Sequence, residues 1–182
     1  MIDTLAKLFS TIRLEQRLAR GVRLKSVVIL FRLASFSYHG RSAIRFAFRP
    51  IAILYKIYTE FLLSIELPAG TDIGPGLRLY HGVGLVVHKG ARFGSNCTLR
   101  QGVTVGNKGG DGANANIVPC IGNDVEFGAG AIVIGGINVG NNVIIGAGVV
   151  VTKDVPDNSV VVGTAPRILS LKDDRQTAGG TI

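Results

Sequence analysis

The stretch that decides the fold is IGNDVEFGAGAIVIGGINVGNNVIIGAGVVV, residues 121–151. An aliphatic or aromatic residue returns in it every six positions, at Ile121, Phe127, Val133, Val139, Ile145 and Val151, usually with Gly right behind. Four residues after each comes a second apolar position: Val125, Ala131, Ile137, Val143, Val149 and Val155. The same frame extends back through Ile73, Leu79 and Leu85, then Phe93, Leu99 and Val105, with Leu77, Val83, Cys97 and Val103 in the second position. A fixed short period of this kind marks a solenoid and outranks any local helix or strand signal. Six-residue sides with two inward positions, three sides to a turn, predict a triangular parallel β-helix. Each coil then buries its inward face only against the next coil.

Two interruptions break the frame. Leu85 to Phe93 is eight residues, which places two extra residues at the corner between them. Val105 to Ile121 is sixteen, so a Gly/Asn-rich excursion within 107–120 must leave the solenoid as a loop. Leu67 to Asp72 reads as a first, degenerate hexad. The expected organisation is a basic helical segment over 1–64, a β-helix over 65–168 with the loop 107–120, and a mobile tail over 169–182.

The charge is uneven. Residues 1–60 hold eleven Lys and Arg against three Asp and Glu, so the whole net charge of +8 lies there. Ile2, Leu5, Leu8, Phe9 and Ile12 form a stripe at helical spacing, with basic residues opposite. Gly21 is an expected stop, a second helix is expected from about Ser26 to Tyr38, and a third from Pro50, a good first helical residue, to about Ser64. Arg32, Lys56 and Glu60 interrupt the apolar runs short of the roughly 20 residues that span a bilayer. Such helices have two readings: a cap over the open end of the β-helix, or attachment to an anionic membrane surface. No motif accompanies the charge that would indicate nucleic acid. Cys97 and Cys120 have neither metal nor redox spacing, which fits a reduced, cytoplasmic protein, with a peripheral contact at the inner membrane face on the second reading.

Only three histidines occur: His39, His81 and His88. His81 stands at the outward third position of its hexad, beside glycines that let another group approach closely. In the predicted register the matching positions of successive coils are His81, Gln101, Ala129 and Ala147, stacked about 4.8 Å apart. A base at the head of a small-residue track suits a groove for a long, thin cofactor.

Tyr80-His81-Gly82-Val83-Gly84-Leu85-Val86-Val87, followed by Leu99-Arg100-Gln101-Gly102-Val103-Thr104-Val105-Gly106, resembles the serine acetyltransferases. It is closer still to the exopolysaccharide O-acetyltransferases of the colanic acid type, within the hexapeptide-repeat acyltransferases. The resemblance implies a left-handed β-helix, a homotrimer, and acetyl-CoA in a groove between subunits, with no metal. It implies that His81 is the general base and that Ala129 and Ala147 contact CoA. Gln101, Gly106, Asn107, Lys108, Lys153 and Arg167 complete the candidate CoA set. Glu66, fifteen residues before His81, occupies the place of an aspartate that partners the histidine in the serine enzymes. Those enzymes also carry an Arg-His pair before a loop proline, where this chain has Ile117 and Val118 before Pro119. Without a cation there, an amino-acid carboxylate loses its charge-assisted bonds. The expectation is therefore acetyl transfer to a sugar hydroxyl of a cell-surface polysaccharide or its precursor. Serine O-acetylation and a non-catalytic, membrane-associated scaffold are the alternatives. A γ-type carbonic anhydrase would need three converging histidines, and the solenoid holds two.

Overall fold

The computed structural model describes residues 4–18, 21–39, 42–109 and 117–163. Arg167, the tail over 169–182 and the centre of the long loop lie outside them. Three helices come first: α1 (Leu5–Leu18), α2 (Val22–His39) and α3 (Ser42–Lys56), the last running on as a π-helical segment, Ile57–Leu62. Short parallel strands then wind through three sheets, one strand per sheet in each coil.

The first sheet stacks β1 (Ile65–Glu66), β4 (Leu85–Val87), β7 (Thr104–Gly106), β10 (Ile132–Ile134) and β13 (Val150–Val151). The second stacks β2 (Asp72–Ile73), β5 (Arg92–Phe93), β8 (Cys120–Ile121) and β11 (Asn138–Val139). The third stacks β3 (Arg78–Tyr80), β6 (Thr98–Arg100), β9 (Glu126–Phe127), β12 (Ile144–Ile145) and β14 (Val160–Val161). The chain is thus a parallel β-solenoid of about four turns behind a short helical region.

The inward positions read from the period form the core. Phe93 pairs in register with Ile121, Ile145 with Phe127, and Val105 with Val133, and all six are buried. One corner turns through a stacked column in the left-handed region: Asn96, Asp124, Asn142 and Asn158 have φ between 54° and 60°. Their short polar side chains tolerate that conformation and bond along the column. Asn96 Nδ2 donates to Asp124 Oδ1 at 3.1 Å and Asn142 Nδ2 to Asn158 Oδ1 at 2.8 Å.

Two expectations are corrected. The two extra residues do not fall between Leu85 and Phe93. Val87, not Leu85, pairs with Val105, so the insertion lies between Tyr80 and Leu85. Leu85 and Val87 are both buried with Val86 turned out, which repeats the pattern of Val103 and Val105 one coil later. The six-residue step from Leu79 to Leu85 fits the period by coincidence, and Val83, expected inward, is 49% exposed. Next, α2 starts four residues before Ser26, and α3 starts at Ser42 with Pro50 inside it. Proline there removes one intrahelical donor from the carbonyl four residues back; packing of α3 along α2 outweighs that loss.

Two charged residues of the helices are buried: Glu15 and Arg32 are 0% and 2% exposed. Arg32 Nε and Nη2 donate to the Glu15 carboxylate at 2.9 and 2.6 Å, while Nη1 and Nη2 also donate to the carbonyls of Ile73 and Gly74 at 2.7 and 2.6 Å. Glu15 Oε1 accepts from the amides of Gly76 and Leu77 at 3.0 and 2.9 Å. These four backbone groups belong to the first coil. A buried charge must be paired and its remaining hydrogen-bonding capacity met, and here the pair meets it by clamping α1 and α2 over the solenoid's open end.

Candidate active site

The inserted corner carries His81. The two residues added there, His81 and Gly82, leave the coil ladder, which resumes at Val83. Gly102 N donates to Val83 O, Gly130 N to Gln101 O and Gly148 N to Ala129 O, each at 2.9 Å. The outward column is therefore Val83, Gln101, Ala129, Ala147, and not the one headed by His81. Gln101, Ala129 and Ala147 do stack as expected, and His81 stands beside the head of the column. Its φ is +64°, in the left-handed region that non-glycine residues rarely adopt. Such conformations persist where the surroundings over-determine them and cluster at functional sites.

Several contacts hold the corner. Gly82 is buried at a φ of +71°, and a Cβ there would lie 2.9 Å from Ile65 Cδ1 and 3.6 Å from Leu24 Cδ2, so a larger residue would be strained and would push the end of Ile65 aside. Gly82 N donates to Tyr80 O at 2.8 Å and Leu85 N to Gly82 O at 3.0 Å, closing two tight turns around the histidine. Arg100 stacks its guanidinium 4.9 Å from the centre of the Tyr80 ring. Arg23 Nη2 donates to the His81 carbonyl at 2.6 Å. The imidazole itself is exposed and makes no hydrogen bond among the described residues, which leaves both ring nitrogens open to a substrate.

The structure does not bond His81 to Glu66. Glu66 pairs by backbone with Val86, and its exposed side chain stands on the outer face of the first sheet. It lines a cleft of about 830 Å³ with Arg49, Lys56, Lys89, Tyr38 and Phe46. The charged side chains around that cleft are exposed or partly so, and none is committed inward.

The candidate CoA residues divide between two edges of the first sheet. Gln101, Ala129 and Ala147 lie at the edge where its strands begin. Gly106, Asn107 and Lys108 lie where they end, and Lys153 follows β13 on that side. Asn107 is half-buried and bonded, and Lys108 lays its aliphatic stem over Gly135. His88 sits below Gly106, where its Nδ1 accepts from Gly90 N at 3.1 Å, so its other nitrogen carries the proton when the ring is neutral. At the root of the long loop, Ile117 is exposed and packs against Gly136, and Val118 packs against Gly90. No cation stands at either position. Among the described residues no three His, Cys, Asp or Glu side chains gather in a metal-binding group.

Sequence reading missed Arg23. It lies 58 residues from His81, and no period or motif links the two.

The chain resembles known proteins over most of its length. Residues 120–153 match the family model described as the hexapeptide repeat of succinyl-transferase. The putative colanic acid biosynthesis acetyltransferase WcaB of Escherichia coli (strain K12) is 43% identical over 123 residues, 68% of this chain and 74% of that protein. The serine acetyltransferase of Staphylococcus xylosus is 40% identical over 131 residues, 72% of this chain and 59% of that protein. Among solved structures, serine acetyltransferase 1 of Entamoeba histolytica superposes with a TM-score of 0.72 at 27% identity, covering 87% of this chain and 64% of that one. The soybean serine acetyltransferase apoenzyme superposes with a TM-score of 0.72 at 28% identity, covering 89% of this chain and 69% of that one. The solenoid has the left-handed β-helix form of the hexapeptide-repeat fold.

Proposed function

The chain belongs to the hexapeptide-repeat acyltransferases and, from that premise, we propose that it moves acetyl from acetyl-CoA to a sugar hydroxyl of a cell-surface polysaccharide or its precursor. The observation that carries the reading is the exposed His81, held in a left-handed turn beside the head of the Gln101, Ala129, Ala147 column. Neutral His81 takes the proton from the acceptor hydroxyl as that oxygen attacks the thioester carbonyl, and CoA leaves as the thiol. General-base help of this kind is worth about 10²–10⁴-fold. No covalent nucleophile is needed.

Beyond Gln101 the column offers nothing larger than alanine, so a thin pantetheine arm can lie along it against backbone. Gly106, Asn107, Lys108, Lys153 and Arg167 remain candidates for the rest of the CoA molecule. Glu66 serves as partner to His81 only if its side chain, or a neighbouring subunit, brings the carboxylate to the imidazole.

The loop root supports a neutral acceptor. Ile117 and Val118 supply no positive charge for an amino-acid carboxylate, and WcaB, the 43% identical relative, is named for colanic acid biosynthesis. A homotrimer supplies the second wall of the groove. Supporting it, the outer faces beside the column are apolar and uncovered: Val86, Val150, Ile144 and Val160 are 38%, 56%, 48% and 64% exposed.

The test is thiol release from acetyl-CoA by wild type and His81→Ala, with L-serine and with a panel of neutral sugars and envelope oligosaccharides. Glycan-dependent release that falls at least about 100-fold in the variant supports both acceptor class and base. Saturable release with serine would overturn the acceptor, and undiminished release by His81→Ala would overturn the base.

A further inference from the structure

We infer that Arg23 is a positioning residue for His81, and that α2 therefore builds the active site as well as capping the solenoid; this rests on His81 being the base. Two successive residues in the first turn of α2 reach the inserted corner. Arg23 Nη2 donates to the His81 carbonyl at 2.6 Å, and Leu24 packs on Gly82. Both contacts fall on the two residues that the repeat does not accommodate.

The need for them is physical. Every regular coil at this corner satisfies its carbonyl from the next coil, as Gln101 O does from Gly130 N and Ala129 O from Gly148 N. At the first coil the matching amide, Gly102 N, goes to Val83 O. The His81 carbonyl is thereby displaced from the ladder, and its residue sits at a φ of +64°, which non-glycine residues rarely hold. A cation-borne donor is the stronger kind of hydrogen bond, and at 2.6 Å it fixes the peptide plane from which the histidine side chain projects. Gly82 seals the other side, since Ile65 and Leu24 fill the space a side chain would take. Arg23 does not touch the imidazole. It acts through the backbone, by setting the direction of the Cα–Cβ bond, and a misplacement near 1 Å costs about 100-fold in rate.

A second feature directs the role to Arg23 rather than to the surplus of positive charge around it. Among the described cations of α1 and α2, Arg23 makes the hydrogen bond to the corner, Arg13, Arg17 and Lys25 make none to it, and Arg32 is committed to Glu15. Arg17 lies exposed in the last turn of α1, which makes Arg17→Ala a control of equal charge.

The experiment compares wild type, Arg23→Ala, Arg23→Lys, Arg17→Ala and His81→Ala in thiol release from acetyl-CoA, with the sugar panel as acceptor and with water alone. In parallel, the backbone amide resonance of Gly82 is followed by NMR. That nitrogen shares the peptide group with the His81 carbonyl and reports the hydrogen bond whatever the turnover. The expected result is a kcat lowered roughly 10–100-fold in Arg23→Ala at unchanged KM for acetyl-CoA, partial recovery in Arg23→Lys, and wild-type behaviour in Arg17→Ala. The Gly82 resonance should move in Arg23→Ala, and the melting temperature should not, because the side chain is exposed.

Arg23→Ala turning over like wild type while His81→Ala is inactive would overturn the positioning role and leave the base assignment intact. Undiminished turnover in both variants would remove the base assignment and the inference with it. A raised KM at constant kcat would make Arg23 a substrate-binding residue instead. An unmoved Gly82 resonance in Arg23→Ala would mean the bond is absent in solution, and that also overturns the inference.

Discussion

Replacing Glu15 by alanine tests how the helices are fastened to the solenoid. Glu15 is fully buried and its carboxylate accepts from Arg32 and from the amides of Gly76 and Leu77. Alanine leaves a guanidinium that is 2% exposed without its counter-charge, and two first-coil amides without an acceptor. Removing one partner of a buried pair costs about 3–5 kcal/mol. Each orphaned amide costs about 1–3 kcal/mol on its own account, though the two figures overlap and do not add. With a urea m-value of about 2 kcal/mol/M, the midpoint should fall by roughly 1.5–2.5 M. Urea unfolding should be followed at one fixed protein concentration, since self-association shifts apparent stability. The double variant Glu15→Leu, Arg32→Met should regain part of the loss, because it removes the stranded charge, while the Gly76 and Leu77 amides and the Ile73 and Gly74 carbonyls stay without partners. A midpoint within about 0.5 M of wild type in Glu15→Ala, equivalent to about 1 kcal/mol, would refute the clamp.

Three further outcomes follow from exposure and charge. Burial pushes the Cys97 thiol up from an ordinary value of 9.0 to about 11, whereas Cys120 is exposed; iodoacetamide at pH 8 should therefore label Cys120 alone until the chain is unfolded, and rapid labelling of both thiols in the native protein would contradict the core position of Cys97. The same shift makes the contribution of Cys97 to stability complete below pH 9 and lost as pH rises through about 11, because the unfolded chain releases that proton first. Along α3 and the π-helical segment, Phe46, Ile53, Ile57 and Phe61 form an exposed apolar row beside the exposed Arg49 and Lys56, so the protein should float with anionic but not neutral vesicles, and Phe61→Glu should abolish flotation. No helix among the described residues is long and apolar enough to cross a membrane, and failure to float with anionic vesicles at physiological salt would leave this row to a protein partner.

The limits of the sequence reading show at particular residues. The inward columns were legible because each coil repeats one local geometry, so Phe93, Ile121 and Val139 announce themselves by spacing alone. At the corner that bears His81, the residue types stand out in the sequence but the register does not. Leu79 and Leu85 happen to keep the six-residue step, and only pairing with Val105 shows that Val87 is the true equivalent. The helix starts were misplaced at Ser26 and Pro50, where contact between α2 and α3 overrides local preference.

By itself, then, the sequence determined the coils, their core and the small-residue column at one corner. A periodic pattern states which side of every strand faces in, and each coil needs only its neighbour. Tertiary structure decided what lies off the period. Arg23 meets a carbonyl 58 residues away, and Glu15 meets an amide 62 residues away. Neither contact has a spacing that recurs. Each exists because folding brings an unsatisfied group of the first coil against a helix whose side chain can answer it, a need that arises only once the coil has closed.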